Sequence, residues 1–456
     1  MTLDTDPGVA PQEEKLEMAA DLTAAKEVAA TDIPPELVAQ SFGGYLRAWM
    51  ARIRSGDSGV LPVLLGLIGI TIVFEIISPN NVFLNTGNLV NLFQQSAVFM
   101  VLGMAEIFVL LLGEIDLSVG YVGAVGGAIA IQLVQPVTIN LPWWLAIAFA
   151  LVVCALIGAG MGFLITRLRL PSFVVTLAGY LIFNGVLLII LLLGPFSGYP
   201  TLCTSSCSGA QNNSHIIYQL MWGTIDPTVS WIGLAVIVAL FGGSMWWRDS
   251  KRRRSGLVAP PPSLTFLKIA LIAVIGVVLL LICNANRGRG VVQVVGVPWV
   301  IPIVLALLVV WMVLLERTRF GRYVYAVGGN PEAARRAGVN VNRVRTLAFA
   351  LCSATAGIAG LLYAANQGGL SNNVNGGQLV LYAVAAAVIG GTSLFGGRGR
   401  ALHGVLGGLV IGAIYNGLYL LGLAAQYQFI ATGIVLLVAV TVDALSRRGA
   451  ATGARA

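Results

Sequence analysis

ERTRFGRYVYAVGGNPEAARRAGVNVNRVR, Glu316 to Arg345, is a polar run set between two apolar stretches long enough to cross a bilayer. Within it, Asn330 to Gly338 reads as a complete short helix. Asn330 is a good N-cap and Pro331 suits the first helical position. Glu332 falls in the first turn and Arg335 and Arg336 in the last, the placement that the helix dipole favours, and Gly338 supplies the stop. Between cap and stop lie Ala333, Ala334 and Ala337, good helix formers. Two turns are marginal in water, so this helix needs a surface to pack on. Its own bundle and a separate protein both satisfy that need.

Outward from this run the chain is apolar. Hydrophobic residues make up 57% and charged ones 10% of the 456 residues, with a mean hydropathy of +0.87. That composition predicts an all-α, polytopic transmembrane bundle. Apolar runs give about twelve spans: 60–77, 97–112, 117–134, 143–165, 173–193, 229–246, 264–283, 299–315, 347–365, 379–394, 402–421 and 429–445. The second and tenth are short, which leaves ten spans plus re-entrant segments open. With the N-terminus inside, 24 of the 27 Lys and Arg fall on cytoplasmic segments, so both termini are expected in the cytoplasm. The net charge of +8 is then a topology signal, and no nucleic acid partner is expected.

The expected organisation is a cytoplasmic acidic tail over 1–58 with a candidate interfacial helix, a transmembrane domain over 59–446 containing the loop 316–345, and a cytoplasmic tail over 447–456. The acidic start lacks the basic region of a secretory signal. The linker 248–262, RDSKRRR followed by prolines, suits the surface of an anionic membrane. Glycine pairs such as Gly123/Gly127, Gly158/Gly162 and the series Gly404/Gly408/Gly412 predict close helix crossings.

Acids near the spans are the candidate polar sites: Glu75, Glu106, Glu114 and Asp116. Glu114 and Asp116 stand in GEIDLSVG, Gly113 to Gly120, which interrupts two apolar runs. Thr392 and Ser393 stand in a second break, Gly390 to Arg400. Glu114, Asp116, Ser118, Thr392 and Ser393 are therefore candidates for a translocation pathway. Turn formation is the alternative for the first break, with the Asp116 carboxylate accepting from Ser118 or Val119. Tyr121, Asn184, Tyr363, Asn416 and Tyr419 are further polar or aromatic candidates within spans. No lysine follows a glycine, so there is no phosphate-binding loop. Two histidines without a paired Cys/His cluster predict no metal site. Cys203 and Cys207 lie in a polar outer loop, where a disulfide and two free thiols are both open.

GEIDLSVG (113–120), LPSFVVTLAG (170–179), TRFGRYVYAVGGNPEAARRAGVNV (318–341) and AVIGGTSLFGGRG (387–399) together resemble the permease subunits of bacterial ATP-driven monosaccharide importers. That family serves ribose, xylose, arabinose and galactose. Glu114, PSFVVTLAG and the apolar pair around Val229 to Cys283 are most similar to its xylose-transporting members. The resemblance implies a non-enzymatic subunit of the bacterial cytoplasmic (inner) membrane. A second copy of itself, a cytoplasmic ATP-binding subunit engaging residues 330–338, and an extracytoplasmic sugar-binding protein are the implied partners. ATP and Mg sit on the ATPase, and no cofactor on this chain. An ion-coupled sugar carrier using Glu114 and Asp116 is the competing expectation, and a receptor that only binds is a third.

Overall fold

The structure is a computed structural model. It describes Arg47 and residues 60–441, apart from 193–199, 206, 208, 257–258, 289–292, 372–373 and scattered positions between 425 and 440. The expected interfacial helix and the C-terminal tail lie outside the described residues, as does part of the span 429–445.

Fourteen α-helices are defined among the described residues. They are α1 (Leu61–Ile77), α2 (Thr86–Leu110), α3 (Val119–Val134), α4 (Trp143–Leu168), α5 (Ser172–Leu192), α6 (Asn212–Trp222) and α7 (Pro227–Arg254). They continue with α8 (Pro262–Asn284), α9 (Val300–Arg317), α10 (Arg319–Gly329), α11 (Pro331–Arg336), α12 (Val341–Gln367), α13 (Gly376–Ile389) and α14 (Ala401–Leu420). Two short strands, β1 (Thr224–Ile225) and β2 (Val297–Pro298), pair antiparallel. Eight of the helices are long and apolar enough to cross a membrane, and α1, α3 and α13 are shorter apolar helices.

The expected short span 97–112 is corrected: α2 starts at Thr86 and runs 25 residues. Asn88, Asn91, Gln94 and Gln95 cut the apolar run in the sequence, yet Asn88 and Gln94 are buried in the fold. Asn88 Nδ2 donates to Asn416 Oδ1 at 2.9 Å and Asn416 Nδ2 returns a bond to Asn88 Oδ1 at 3.1 Å. The Asn416 amide also reaches Gln95 Oε1 at 3.2 Å, and Gln94 Nε2 donates to the Met221 carbonyl at 2.8 Å. Buried amides are tolerated when paired in this way. Helix α2 is the most deeply enclosed span, with 89% of its most apolar window buried.

Contacts divide the chain into two units. Among the described residues, one comprises Arg47 and Ile232–Val277, and the other Val60–Trp231 with the described residues from Val278 onward. In the first, α7 and α8 form a hairpin in which Gly242 faces Ile269 and Gly276 faces Leu234. Its linker is closed by Arg253 Nη1 donating to the Pro260 carbonyl at 2.7 Å and by Thr265 Oγ1 donating to Asp249 Oδ2 at 3.1 Å. Lys251 and Arg253 lie over the rings of Trp247 and Trp246, at 5.3 and 5.5 Å.

The larger unit is built around α12, which packs on α2, α3 and α4, while α14 packs on α2 and α13. The glycine pairs sit at these crossings. A Cβ at Gly123 would lie 2.6 Å from the Ala356 carbonyl, and one at Gly127 2.5 Å from that of Gly360. Gly158 and Gly162 meet Phe349 and Thr346, and Gly404, Gly408 and Gly412 meet Met104, Met100 and Ser96 on α2. The obstructing atoms are largely backbone, so a side chain cannot be absorbed by a rotamer change. Gly127→Leu is therefore expected to separate α3 from α12 at a cost of about 3 kcal/mol or more, the upper end for overpacking, read as loss of a monodisperse detergent-solubilised peak.

Candidate functional site

The run Glu316 to Arg345 folds into the end of α9, all of α10 and α11, and the start of α12. Helix α11 is capped at both ends. Asn330 Oδ1 accepts from the amides of Glu332 at 3.1 Å and Ala333 at 3.0 Å. At the other end Gly338 has φ +83°, its amide donates to the Arg335 carbonyl at 3.0 Å, and the Val339 amide donates to that of Ala334 at 3.0 Å. That pair of bonds is a complete Schellman ending. Glu332 pairs with Arg335 at 3.3 Å and Arg336 at 3.6 Å on the exposed face. Only Ala334 of α11 is buried; the rest of its surface is open.

Helix α10 is a second element of the run, and the sequence reading passed over it. Thr318 caps it by accepting from the Gly321 amide at 3.2 Å, and it buries Gly321, Val324 and Val327. The readable signal was the spacing Gly321, Val324, Val327, Gly328, a narrow apolar stripe in a polar stretch. Gly328 comes so close to the Leu111 carbonyl that no side chain fits between them.

Leu111, the C-cap of α2 two residues before the first break, joins that break to the second. The Gly397 amide donates to the Leu111 carbonyl at 2.9 Å, and Gly396, at φ +83°, faces Gly113, Gly328 and Leu111. The Tyr325 hydroxyl of α10 donates to the Gly399 carbonyl at 2.7 Å. Burial, with Glu316 nearby and Arg400 opposing, raises the Tyr325 phenol above its ordinary range.

Both ends of the run are also held by charge. Arg345 Nε lies 3.0 Å from Glu114 Oε1, and Arg400 Nε lies 3.9 Å from Glu316 Oε1. The first is the enclosed contact, with the Glu114 side chain 10% exposed against 37% for Glu316. Its N–H does not point at the oxygen, so it is an ion pair without a hydrogen bond. Burial raises the Glu114 carboxyl and Arg345 opposes that shift.

Asp116 is fully buried. Its Oδ1 accepts from the Ser118 amide at 2.9 Å and the Ser118 hydroxyl at 2.6 Å, while its own amide donates to Glu106 Oε1 at 3.0 Å. Burial raises the Asp116 carboxyl, and the bonds from Ser118 oppose it. In the second break the Ser393 amide donates to the Arg398 carbonyl at 2.9 Å, Ser393 Oγ accepts from the Phe395 amide at 3.0 Å, and Thr392 Oγ1 lies 3.4 Å from His403 Nδ1. Ser118, Thr392 and Ser393 are buried. The structure thus holds Asp116, Ser118 and Ser393 in local turn-forming bonds, sets Glu114 against Arg345 and Thr392 beside His403, and joins the two breaks through the backbone contact of Gly397 with Leu111.

The other candidates are dispersed. Glu75 Oε2 accepts from the Leu84 amide at 2.8 Å. Asn416 is occupied by Asn88 and Gln95, Tyr121 packs edge-on against Tyr180 at 4.8 Å, and Tyr419 is exposed. Cys203 and Cys207 form a disulfide. His215 lies beside it, its Nδ1 3.0 Å from the Cys203 carbonyl oxygen. With both sulfurs bonded to one another, this group offers no thiolate to a metal. Cys154, Cys283 and Cys352 are buried and unbonded.

The sequence profile described as the permease component of the branched-chain amino acid transport system matches residues 88–440. The chain belongs to this permease family. Among curated relatives, it is 32% identical to the xylose transport system permease protein XylH of Escherichia coli K12, over 91% of this chain and 97% of that one. The Haemophilus influenzae protein of the same name is 31% identical, over 88% and 100%. The ribose import permease protein RbsC of Escherichia coli K12 is 29% identical, over 88% and 95%. No solved structure matches the chain.

Within this permease the Glu114 and Arg345 contact has a measurable weight. Glu114→Gln is expected to leave Arg345 facing a neutral, half-dry pocket and to cost about 1–3 kcal/mol. A Glu114→Arg, Arg345→Glu exchange should recover part of that loss in a thermal melt. Additive losses would show that the two side chains do not interact.

Proposed function

We propose that this chain is the membrane subunit of an ATP-driven importer that passes a monosaccharide, D-xylose or a similar pentose or hexose, into the cytoplasm. Support comes from the similarity to xylose and ribose permeases across nearly their whole length. The observation that carries the mechanism is the junction where α10, α11 and both breaks converge. Helix α11, residues Asn330 to Gly338, is the docking element for a cytoplasmic ATPase subunit. Its open surface and double capping suit a small, rigid element grasped by a partner.

In this reading two copies of the chain form the pathway, each with about twelve spans and both termini in the cytoplasm, and a sugar-binding protein delivers substrate on the outer side. ATP and Mg belong to the partner. Closure of the ATPase pair pushes α11. The push passes through α10 to the Leu111 and Gly397 contact, and through Arg345 to Glu114, so the ends of α2, α3, α13 and α14 move together. Glu114, Asp116, Ser118, Thr392 and Ser393 form the inner end of the pathway, where a change of tilt opens or closes it. A proton-carrier reading has less support, because Glu114 faces Arg345 and Asp116 is held by Ser118.

Charge reversal at Arg335 and Arg336 is expected to abolish sugar-stimulated ATPase activity and ATP-dependent uptake in proteoliposomes, with the protein still inserted and folded. Gly338→Pro is expected to act alike, because proline cannot adopt a positive φ. Wild-type stimulation in the charge-reversed protein would remove α11 from the docking surface. Uptake driven by a proton gradient without the ATPase would overturn the whole assignment.

A further inference from the structure

Helix α12 links two ends of the larger unit. Arg345, near its start, meets Glu114, while at its finish Gly368 joins the outer loops. At the helical rise, Tyr363 stands about 27 Å along the axis from Arg345.

Around this far end is a cavity of about 370 Å³. It is lined by Thr201 from the disulfide loop, by Tyr363 and Gln367 from α12, and by Leu370, Ser371 and Val374 beyond it. The volume falls in the ~300–1,000 Å³ range of small-molecule sites. Its walls are tied down. The Leu202 amide donates to the Gly368 carbonyl at 2.9 Å, and the Leu370 amide donates to that of Pro200 at 3.2 Å. The disulfide begins at the next residue, Cys203, and Trp222 Nε1 anchors α6 to the Ala365 carbonyl at 3.2 Å.

The lining has a definite chemistry. None of its side chains is charged. The Tyr363 hydroxyl, the Gln367 amide and the Thr201 hydroxyl have no hydrogen-bond partner among the described residues. Leu370 and Val374 are buried and present an apolar floor. A zwitterionic amino acid would find no opposite charge for either of its ends on this lining. An uncharged polyol has hydroxyls for the three open polar groups and a C–H face for the tyrosine ring.

We propose that this cavity is the site where the chain first receives its substrate on the outer side, and that it selects an uncharged, polyhydroxylated ring over a charged solute. The inference rests on the import reading and adds a defined site and a chemical basis for choice. Tyr363 stacks on the ring, Gln367 and Thr201 exchange hydrogen bonds with its hydroxyls, and the disulfide holds the loop that forms one wall.

The test uses Ser371→Cys in the full chain. Ser371 lines the cavity and is only half-buried, and the native cysteines are buried or bonded, so the new thiol is the reactive one. Right-side-out vesicles are treated with a membrane-impermeant maleimide in the presence of D-xylose, D-ribose or L-leucine. Labelling from outside is expected to slow about tenfold at a sugar concentration near ten times Kd, following 1 + [L]/Kd, with no slowing by L-leucine. Adding Tyr363→Leu to the same chain should weaken that protection, while Tyr363→Phe, which keeps the ring, should retain most of it. ATP-dependent sugar uptake is measured on the same vesicles with the binding protein added back. Uptake without protection by either sugar overturns the cavity assignment alone and leaves the import reading standing. Equal protection by L-leucine, or full protection after Tyr363→Leu, overturns the proposed recognition. Absence of uptake in wild-type vesicles overturns the import reading beneath it.

Discussion

The fold turns on how a polar segment is fastened to an apolar bundle. Backbone groups freed at a helix break inside protein must find partners, and here the two breaks supply them to one another: the amide of Gly397 meets the carbonyl of Leu111. Gly328 of α10 lies against the same carbonyl, which allows the polar run to sit directly on the joint. Charge then clamps the run at both extremes, Glu316 to Arg400 and Arg345 to Glu114. The enclosed contact is the stronger constraint, since an exposed pair is screened by water.

Glycine crossings give this junction its reach. With α3 and α4 laid almost backbone to backbone on α12, and α14 likewise on α2, the helices have little room to yield locally. In the proposed mechanism a displacement at the capped helix would be transmitted as movement of whole rods. Helix α12 is the longest path in that scheme, because one end touches the first break and the other borders the cavity at Tyr363 and Gln367.

Much of this was readable from the chain because it is local chemistry. The cap at Asn330, the proline after it, the placed charges and the glycine stop all act within a few residues, and α11 follows them closely. The close crossings were equally legible, since a small residue every fourth position has few other uses in a span. What escaped depended on distant partners. The start of α2 was hidden because Asn88 and Gln95 look like a loop until Asn416 is brought beside them. Helix α10 was hidden because its buried stripe is three residues in a run of arginines and tyrosines. The meeting of the two breaks joins residues far apart in the chain, and nothing local to either break shows that they touch. The bonding of Cys203 to Cys207 stayed open because spacing alone does not decide redox state.

The reciprocal amides of Asn88 and Asn416 restrict how the machine can work. Each side chain is donor and acceptor to the other, so the pair fits in one register. Sliding α14 along α2 by a single turn, about 5.4 Å, would strand both amides in a dry interior. These two helices are keyed together like a shaft and its collar, free to pivot as one piece and barred from telescoping.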